Sequence, residues 1–217
     1  IIAHRNLYGG TVRLLKELRN FGIETKFGDA RQITNVSDAI TPATKIVFLE
    51  TPSNPVMDIC DFERIKMILD KAGRSDILIA VDNTFASPYN QKPLRNQADI
   101  SIQSLTKYIN GFGNATGGAI ITSSKIMEKI WERYHGSGGM MEPEVAQRIA
   151  INMITLPDRM EKHNRSGYSI ATRFLKNNPL IKNVYYPGLP EHPNNDVARR
   201  LMAGFGGMIS FELNDAD

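Results

Sequence analysis

A lysine amine attacks a carbonyl carbon once it has lost its proton, and partial burial promotes that loss. Lys107 stands in a stretch suited to such chemistry, Ser104-Leu105-Thr106-Lys107-Tyr108-Ile109-Asn110-Gly111. Ser104 and Thr106 bring short hydroxyls into a turn, where they can donate hydrogen bonds to a phosphate. Upstream, Asp82 directly follows the apolar run Ile77-Leu78-Ile79-Ala80-Val81, and Asn54 lies just past the run that ends at Glu50. A carboxylate such as Asp82 can keep a proton on a pyridine nitrogen, so that the ring accepts electrons from a substrate carbanion. Each residue also fits a plainer role. Lys107 suits an exposed, glycine-rich loop, Asp82 a turn or helix N-cap, and Asn54 before Pro55 the start of a turn.

These candidates share a position. Lys45–Glu50, Ile77–Val81 and Ala98–Ile102 are short apolar runs, and the polar residues follow their ends. Strands this apolar, separated by amphipathic helices, predict a parallel sheet covered on both faces. In such a sheet ligands bind beyond the carboxyl ends of the strands, so three strand ends point to one site. Leu14, Leu15, Leu18 and Phe21 recur at helical spacing before Gly22, and a short strand is expected over residues 24–27. Asp61 can cap a helix carrying Ile65, Ile68, Leu69 and Ala72, ended by Gly73. After Gly118 the pattern is expected to turn helical: Ile126, Met127, Ile130 and Trp131 share one face, a second helix spans 144–156, and a third runs from Asp158 to Lys176 before Pro179. Residues 1–157 are therefore expected to form one large domain, and 158–217 a linking helix and the start of a smaller one. An apolar strand-like run, Met208–Phe211, lies near the end.

Composition narrows the function classes. At 217 residues, 41% hydrophobic and 23% charged, the chain can bury a sizeable core of ordinary globular type. Its net charge of +3 is spread among acidic residues, as in Lys125–Glu128–Lys129–Glu132–Arg133, so nucleic-acid binding is not expected. No apolar run has the length of a membrane span. The single cysteine, Cys60, suits a reducing compartment, and a cytoplasmic location is expected. His4, His135, His163 and His192 lack metal-ligand spacing. Gly111, Gly113, Gly117 and Gly118 do not precede a helix in the manner of a dinucleotide loop. A chain that opens on Ile1 and stops just past an apolar run is expected to be the middle of a longer protein.

Several segments together resemble the Cys/Met-metabolism enzymes dependent on pyridoxal 5′-phosphate (PLP). They are Leu7-Tyr8-Gly9-Gly10-Thr11, Glu50-Thr51-Pro52-Ser53-Asn54-Pro55, Val81-Asp82-Asn83-Thr84-Phe85-Ala86-Ser87-Pro88-Tyr89 with Ala98-Asp99-Ile100, and Ser104–Gly111. Arg159-Met160-Glu161-Lys162-His163, Tyr186-Pro187-Gly188-Leu189 and Gly206-Gly207-Met208-Ile209-Ser210-Phe211 extend the likeness over nearly the whole chain. The resemblance implies a fold-type-I PLP-dependent transferase: a mainly parallel α/β sheet sandwiched by helices, then a smaller α/β domain. It implies that Lys107 holds the cofactor and shuttles protons, that Asp82 pairs with the ring nitrogen, and that Ser104 and Thr106 bind the phosphate. Tyr8, alone a plausible turn residue, would stack on the ring and assist proton transfer; Asn54 would lie near the cofactor hydroxyl and the substrate carboxylate. The implied activity is γ-elimination on a small sulfur amino acid, as in cystathionine γ-lyase, in a homodimer or homotetramer. γ-Replacement, as in cystathionine γ-synthase or a sulfhydrylase, or the methionine γ-lyase reaction, remains the alternative. A catalytically silent scaffold with the same fold is a further reading.

Some positions depart from the family pattern. Phe112 and Asn114 stand where many members carry His and Asp. In the segment ending Asn152-Met153-Ile154-Thr155-Leu156 an arginine and a glycine are missing. Gly10 replaces the cysteine typical of methionine γ-lyases, which argues against that activity. The family's upstream phosphate-binding Gly-Met pair, its Tyr/Arg pair for the neighbouring subunit and its downstream carboxylate-binding arginine have no counterpart in residues 1–217.

Overall fold

Val47 and Leu49 on one strand, and Ile79 and Val81 on the next, are apolar enough to be buried by layers on both sides of a sheet. The computed structural model, which describes residues 1–214, places these strands side by side at the sheet centre. In chain order come β1 (Ile2–His4), α1 (Gly9–Glu17), β2 (Lys26–Gly28), α2 (Ile33–Ala39), β3 (Ile46–Glu50), α3 (Phe62–Lys71), β4 (Leu78–Asp82), α4 (Ser87–Asn90) and β5 (Ile100–Ser104). There follow β6 (Gly118–Thr122), α5 (Ser124–Ser137), α6 (Pro143–Met153), α7 (Leu156–Ser169), β7 (Ile181–Tyr185), α8 (Asn195–Leu201) and β8 (Ser210–Leu213). The main sheet has the order β2-β1-β3-β4-β5-β6, with β1 to β5 parallel and β6 antiparallel to β5. β7 and β8 form a separate antiparallel pair. The fold is α/β, with a mostly parallel sheet flanked by helices.

Layers on both sides hold the sheet. α3 lays Phe62, Ile65 and Leu69 against Val47, Leu49, Ile79 and Val81, all fully buried. Burial of each such side chain contributes roughly 1.5–3 kcal/mol. The Asp61 side chain accepts the Arg64 N–H at 3.1 Å, the cap expected from sequence. Elsewhere Leu7 and Leu15 pack with Ala3, and a cluster of Ile109, Ile149, Leu156 and Met160 sets α6 and α7 against the turn that follows β5. No helix among the described residues is long and apolar enough to cross a membrane.

Several elements differ from expectation. The helical pattern does not begin straight after Gly118: Gly118–Thr122 is β6, paired from Ser104↔Gly118 to Ile100↔Thr122. Pairing with a neighbouring strand decides the conformation of so short a run, which carries little periodicity of its own. The strand expected at 24–27 is β2, and that expected at 208–211 is β8, each shifted toward the C-terminus. The helix expected to begin at Asp158 begins at Leu156, and Ile170–Leu175 continues it as a π-helical turn.

One junction ties α4 to α7 and to the chain entering β8. Asn90 and Asn164 exchange side-chain hydrogen bonds in both directions, each 2.9 Å long. Asn164 Oδ1 also accepts the Gly206 N–H at 2.7 Å, and the Asn90 carbonyl accepts the Ala203 N–H at 2.7 Å. A Cβ on Gly204 would lie 2.6 Å from Asn90 Oδ1, so only glycine fits between the amides. This threading carries the chain on to Met208.

Candidate functional site

Because β3, β4 and β5 are parallel and in register, their carboxyl ends deliver Glu50, Asp82 and Ser104 to one edge of the sheet. A cleft of about 740 Å³ opens there, within the size range of small-molecule sites. All six residues singled out from the sequence line it: Tyr8, Asn54, Asp82, Ser104, Thr106 and Lys107. Glu50, Thr84, Tyr108, Arg159, His163 and Met208 line it as well. No role was read for these from the sequence, although each lies in or beside a segment that carried the resemblance.

Asp82 ends β4 and is held from one side. Its Oδ1 accepts the backbone N–H of Thr84 at 3.0 Å and the Thr84 hydroxyl at 2.6 Å, whereas Oδ2 meets no protein donor among the described residues. Burial pushes the Asp82 carboxyl up, and the two Thr84 bonds oppose that rise.

Lys107 projects from the turn after β5. Its side chain is exposed and lines the open cleft. The turn itself is braced. Arg159 of α7 donates to the carbonyls of Tyr108 and Ile109, and Gly111 takes the left-handed φ of 74° against its guanidinium. The Tyr108 hydroxyl accepts the Gly207 N–H at 3.2 Å, and its ring meets that of His163 at 5.0 Å. Burial, and then the Arg159 charge, hold the His163 imidazole below its ordinary pKa.

The hydroxyls of the turn divide. Thr106 Oγ1 accepts the Gly117 N–H at 3.1 Å and points back to the Gly117 carbonyl at 3.4 Å, so it fixes the loop. The Ser104 hydroxyl has no such partner among the described residues. Tyr8, also in the lining, is 58% exposed and stands at the N-cap of α1. A Cβ at Gly10 would lie 2.6 Å from Cε1 of Tyr8, so the missing side chain leaves room for the ring. The buried Glu50 carboxylate accepts the N–H of Tyr8 at 2.7 Å and that of Asn54 at 2.8 Å. Burial pushes its carboxyl up to about 7; the Tyr8 and Asn54 bonds oppose this and the nearby Asp82 charge adds to it.

The family departures have local explanations. Phe112 stacks under Arg159, with the guanidinium carbon 5.7 Å from the ring centroid. Asn152, near the missing glycine, donates to Asn110 Oδ1 at 2.8 Å and to Asn114 Oδ1 at 3.2 Å, so neutral amides tie this loop to α6.

PLP fits the residues present. Asp82 Oδ2 and Lys107 Nζ have no protein partner among the described residues, and both line the cleft, one suited to the ring nitrogen and the other to the aldehyde. The Ser104 hydroxyl can serve the phosphate, and Tyr8 offers a ring face.

Comparison with known proteins points to the same cofactor. The family model for Cys/Met metabolism PLP-dependent enzymes matches residues 1–217. An L-methionine gamma-lyase of Fusobacterium nucleatum subsp. polymorphum is 40% identical over 98% of this chain and 54% of its own length. A cystathionine gamma-lyase of Bacillus subtilis is 38% identical over 100% of this chain and 57% of its own. The crystal structure of cystathionine gamma-lyase from Lactobacillus plantarum complexed with L-serine superposes with a TM-score of 0.94 at 39% identity, over 98% of this chain and 55% of that one. The chain thus spans about half the length of the curated relatives it matches. The chain belongs to the Cys/Met metabolism PLP-dependent enzyme family.

Proposed function

We propose that this chain forms the cofactor-binding core of an enzyme that carries out γ-elimination on a small sulfur amino acid, with cystathionine as first choice. The observation that carries the reading is the convergence of Lys107, Asp82 and Tyr8 on one cleft at the carboxyl edge of the sheet. Relatives named cystathionine gamma-lyase and L-methionine gamma-lyase support it. Water enters the overall reaction, and a thiol, ammonia and a 2-oxo acid leave.

When bound, PLP supplies the electron sink that makes loss of a proton from the substrate Cα feasible. Lys107 Nζ would hold the cofactor aldehyde and, when free, would remove the substrate Cα proton. Asp82 Oδ2 keeps a proton on the ring nitrogen, with Oδ1 anchored by Thr84. The Ser104 hydroxyl would meet the phosphate, and Thr106 would serve it by ordering the loop. Lys107, once it has handed on its first proton, would take a second from Cβ, and Tyr8 or Lys107 would deliver a proton to the departing sulfur. Asn54 orients the substrate carboxylate.

The same reading extends to the setting. We take residues 158–217 as the start of a smaller domain, which the separate β7–β8 pair supports; the last three of these residues lie outside the described ones. We take the protein as a cytoplasmic homodimer or homotetramer that binds neither nucleic acid nor membrane. The scattered charge supports the reading on nucleic acid, and the single cysteine supports a reducing compartment.

The test is to purify the protein with PLP and supply cystathionine, methionine, and O-acetylhomoserine plus a thiol in turn. Release of 2-oxobutyrate and ammonia from cystathionine is the expected outcome. Thioether formation without 2-oxo acid would replace elimination by γ-replacement, and no product in any arm would favour a silent scaffold.

A further inference from the structure

Both oxygens of the Glu50 carboxylate are spent on backbone groups from different loops. Oε2 takes the N–H of Tyr8, at the start of α1, and Oε1 takes the N–H of Asn54, in the loop after β3. Glu50 is only 5% exposed and stands directly across from Asp82 in the β3–β4 register. A second buried carboxylate beside Asp82 carries a desolvation cost, and an apolar residue of similar volume would avoid it. The two N–H bonds give the charge a use once the carboxyl is ionised, above about pH 7: charged acceptors form the stronger class of hydrogen bond, and a carboxylate has two of them. A glutamine has one acceptor and one donor, so its Nε2 would face an N–H and release one loop. An aspartate is a methylene shorter and cannot reach both donors from the same backbone position.

We propose that Glu50 is a positioning residue whose carboxylate ties the Tyr8 loop to the Asn54 loop and so sets the spacing of those two side chains across the cleft that holds Lys107. This rests on the reading of that cleft as a PLP site. In this role Glu50 acts as the acceptor of the two backbone N–H groups. Its contribution is to hold the Tyr8 ring and the Asn54 amide in one fixed relation.

The test compares the PLP-loaded wild-type protein with Glu50→Gln, Glu50→Ala and Lys107→Ala. Amide hydrogen exchange in peptides covering residues 7–12 and 51–56 reports the two bonds directly. In Glu50→Gln one of the two peptides should exchange about tenfold faster, and in Glu50→Ala both, with a control peptide from α3 unchanged. The induced circular dichroism of the bound cofactor should fall while its visible absorbance stays, and kcat should fall by about 10²-fold with little change in KM. Unchanged exchange, or faster exchange with unchanged dichroism and kcat, overturns the proposal. If both Glu50 variants unfold, the wild type decides: slow exchange at the Tyr8 and Asn54 amides supports the tie, and free exchange at either overturns it. Lys107→Ala is the separate control. If that variant keeps the visible absorbance, the PLP reading fails, while the exchange data still decide the role of Glu50.

Discussion

The Thr84 hydroxyl donates to Asp82 at 2.6 Å while accepting the backbone N–H of Ser104 at 2.8 Å. A single oxygen thus links the end of β4 to the end of β5, and both ends supply a residue of the candidate site. Thr84→Val removes that oxygen with little change of shape. It leaves the Ser104 N–H unpaired and Asp82 with one donor fewer. Denaturant melts should show a loss of about 1–3 kcal/mol, and kcat/KM should fall by roughly 10–100-fold. A variant with unchanged activity would remove Thr84 from the positioning of Asp82.

Lys107 is exposed and has no protein partner among the described residues, so stability should not depend on it. With both proteins freed of cofactor, Lys107→Ala should melt within about 0.5 kcal/mol of the wild type. The same variant should lose turnover and the visible absorbance of bound PLP. Retention of both would end the proposed mechanism.

Gly111 adopts φ 74°, and a Cβ there would run into the Arg159 guanidinium. Gly111→Ala should cost about 1–3 kcal/mol from backbone strain and displacement of Arg159. In a double-mutant cycle with Arg159→Ala the losses should be less than additive, because the second change removes the group that the first collides with. Strict additivity would show that Arg159 does not press on this turn.

Asp29 is nearly buried, at 6% exposure, and hydrogen bonds from Arg31 hold its carboxyl at about 2 against the opposing effect of burial. With its folded pKa below the unfolded one, the group stabilises the fold fully above about pH 4. That stabilisation is lost as pH falls through 2. Asp29→Asn should therefore cost about 2 kcal/mol at neutral pH and flatten the acid limb of the stability curve between pH 4 and 2. Melts across that range would check it, and an unaltered acid limb would contradict the assignment.

The strands that carry site residues were legible because β3, β4 and β5 are apolar runs ending in polar residues, and the resemblance identified those residues. All six line the cleft. Contacts across the fold were not legible. Nothing in Glu50-Thr51-Pro52 says that the glutamate side chain folds back onto two backbone groups, one of them at Tyr8. Arg159 is far from Tyr108 in sequence, and only packing of α7 on the turn brings them together. β6 was missed because its few residues take their conformation from β5. Likewise, the exposure of Lys107 depends on what covers the turn, which no local pattern encodes.

The paired amides of Asn90 and Asn164 carry no net charge, and neither titrates in the range where proteins fold. Added salt shortens the Debye length and weakens contacts between exposed charges, but it leaves this junction untouched. The segment that brings Met208 to the cleft is therefore anchored there by contacts indifferent to ionic strength and to pH. Buffer changes that loosen surface ion pairs such as Lys176–Glu191 will leave that anchor in place.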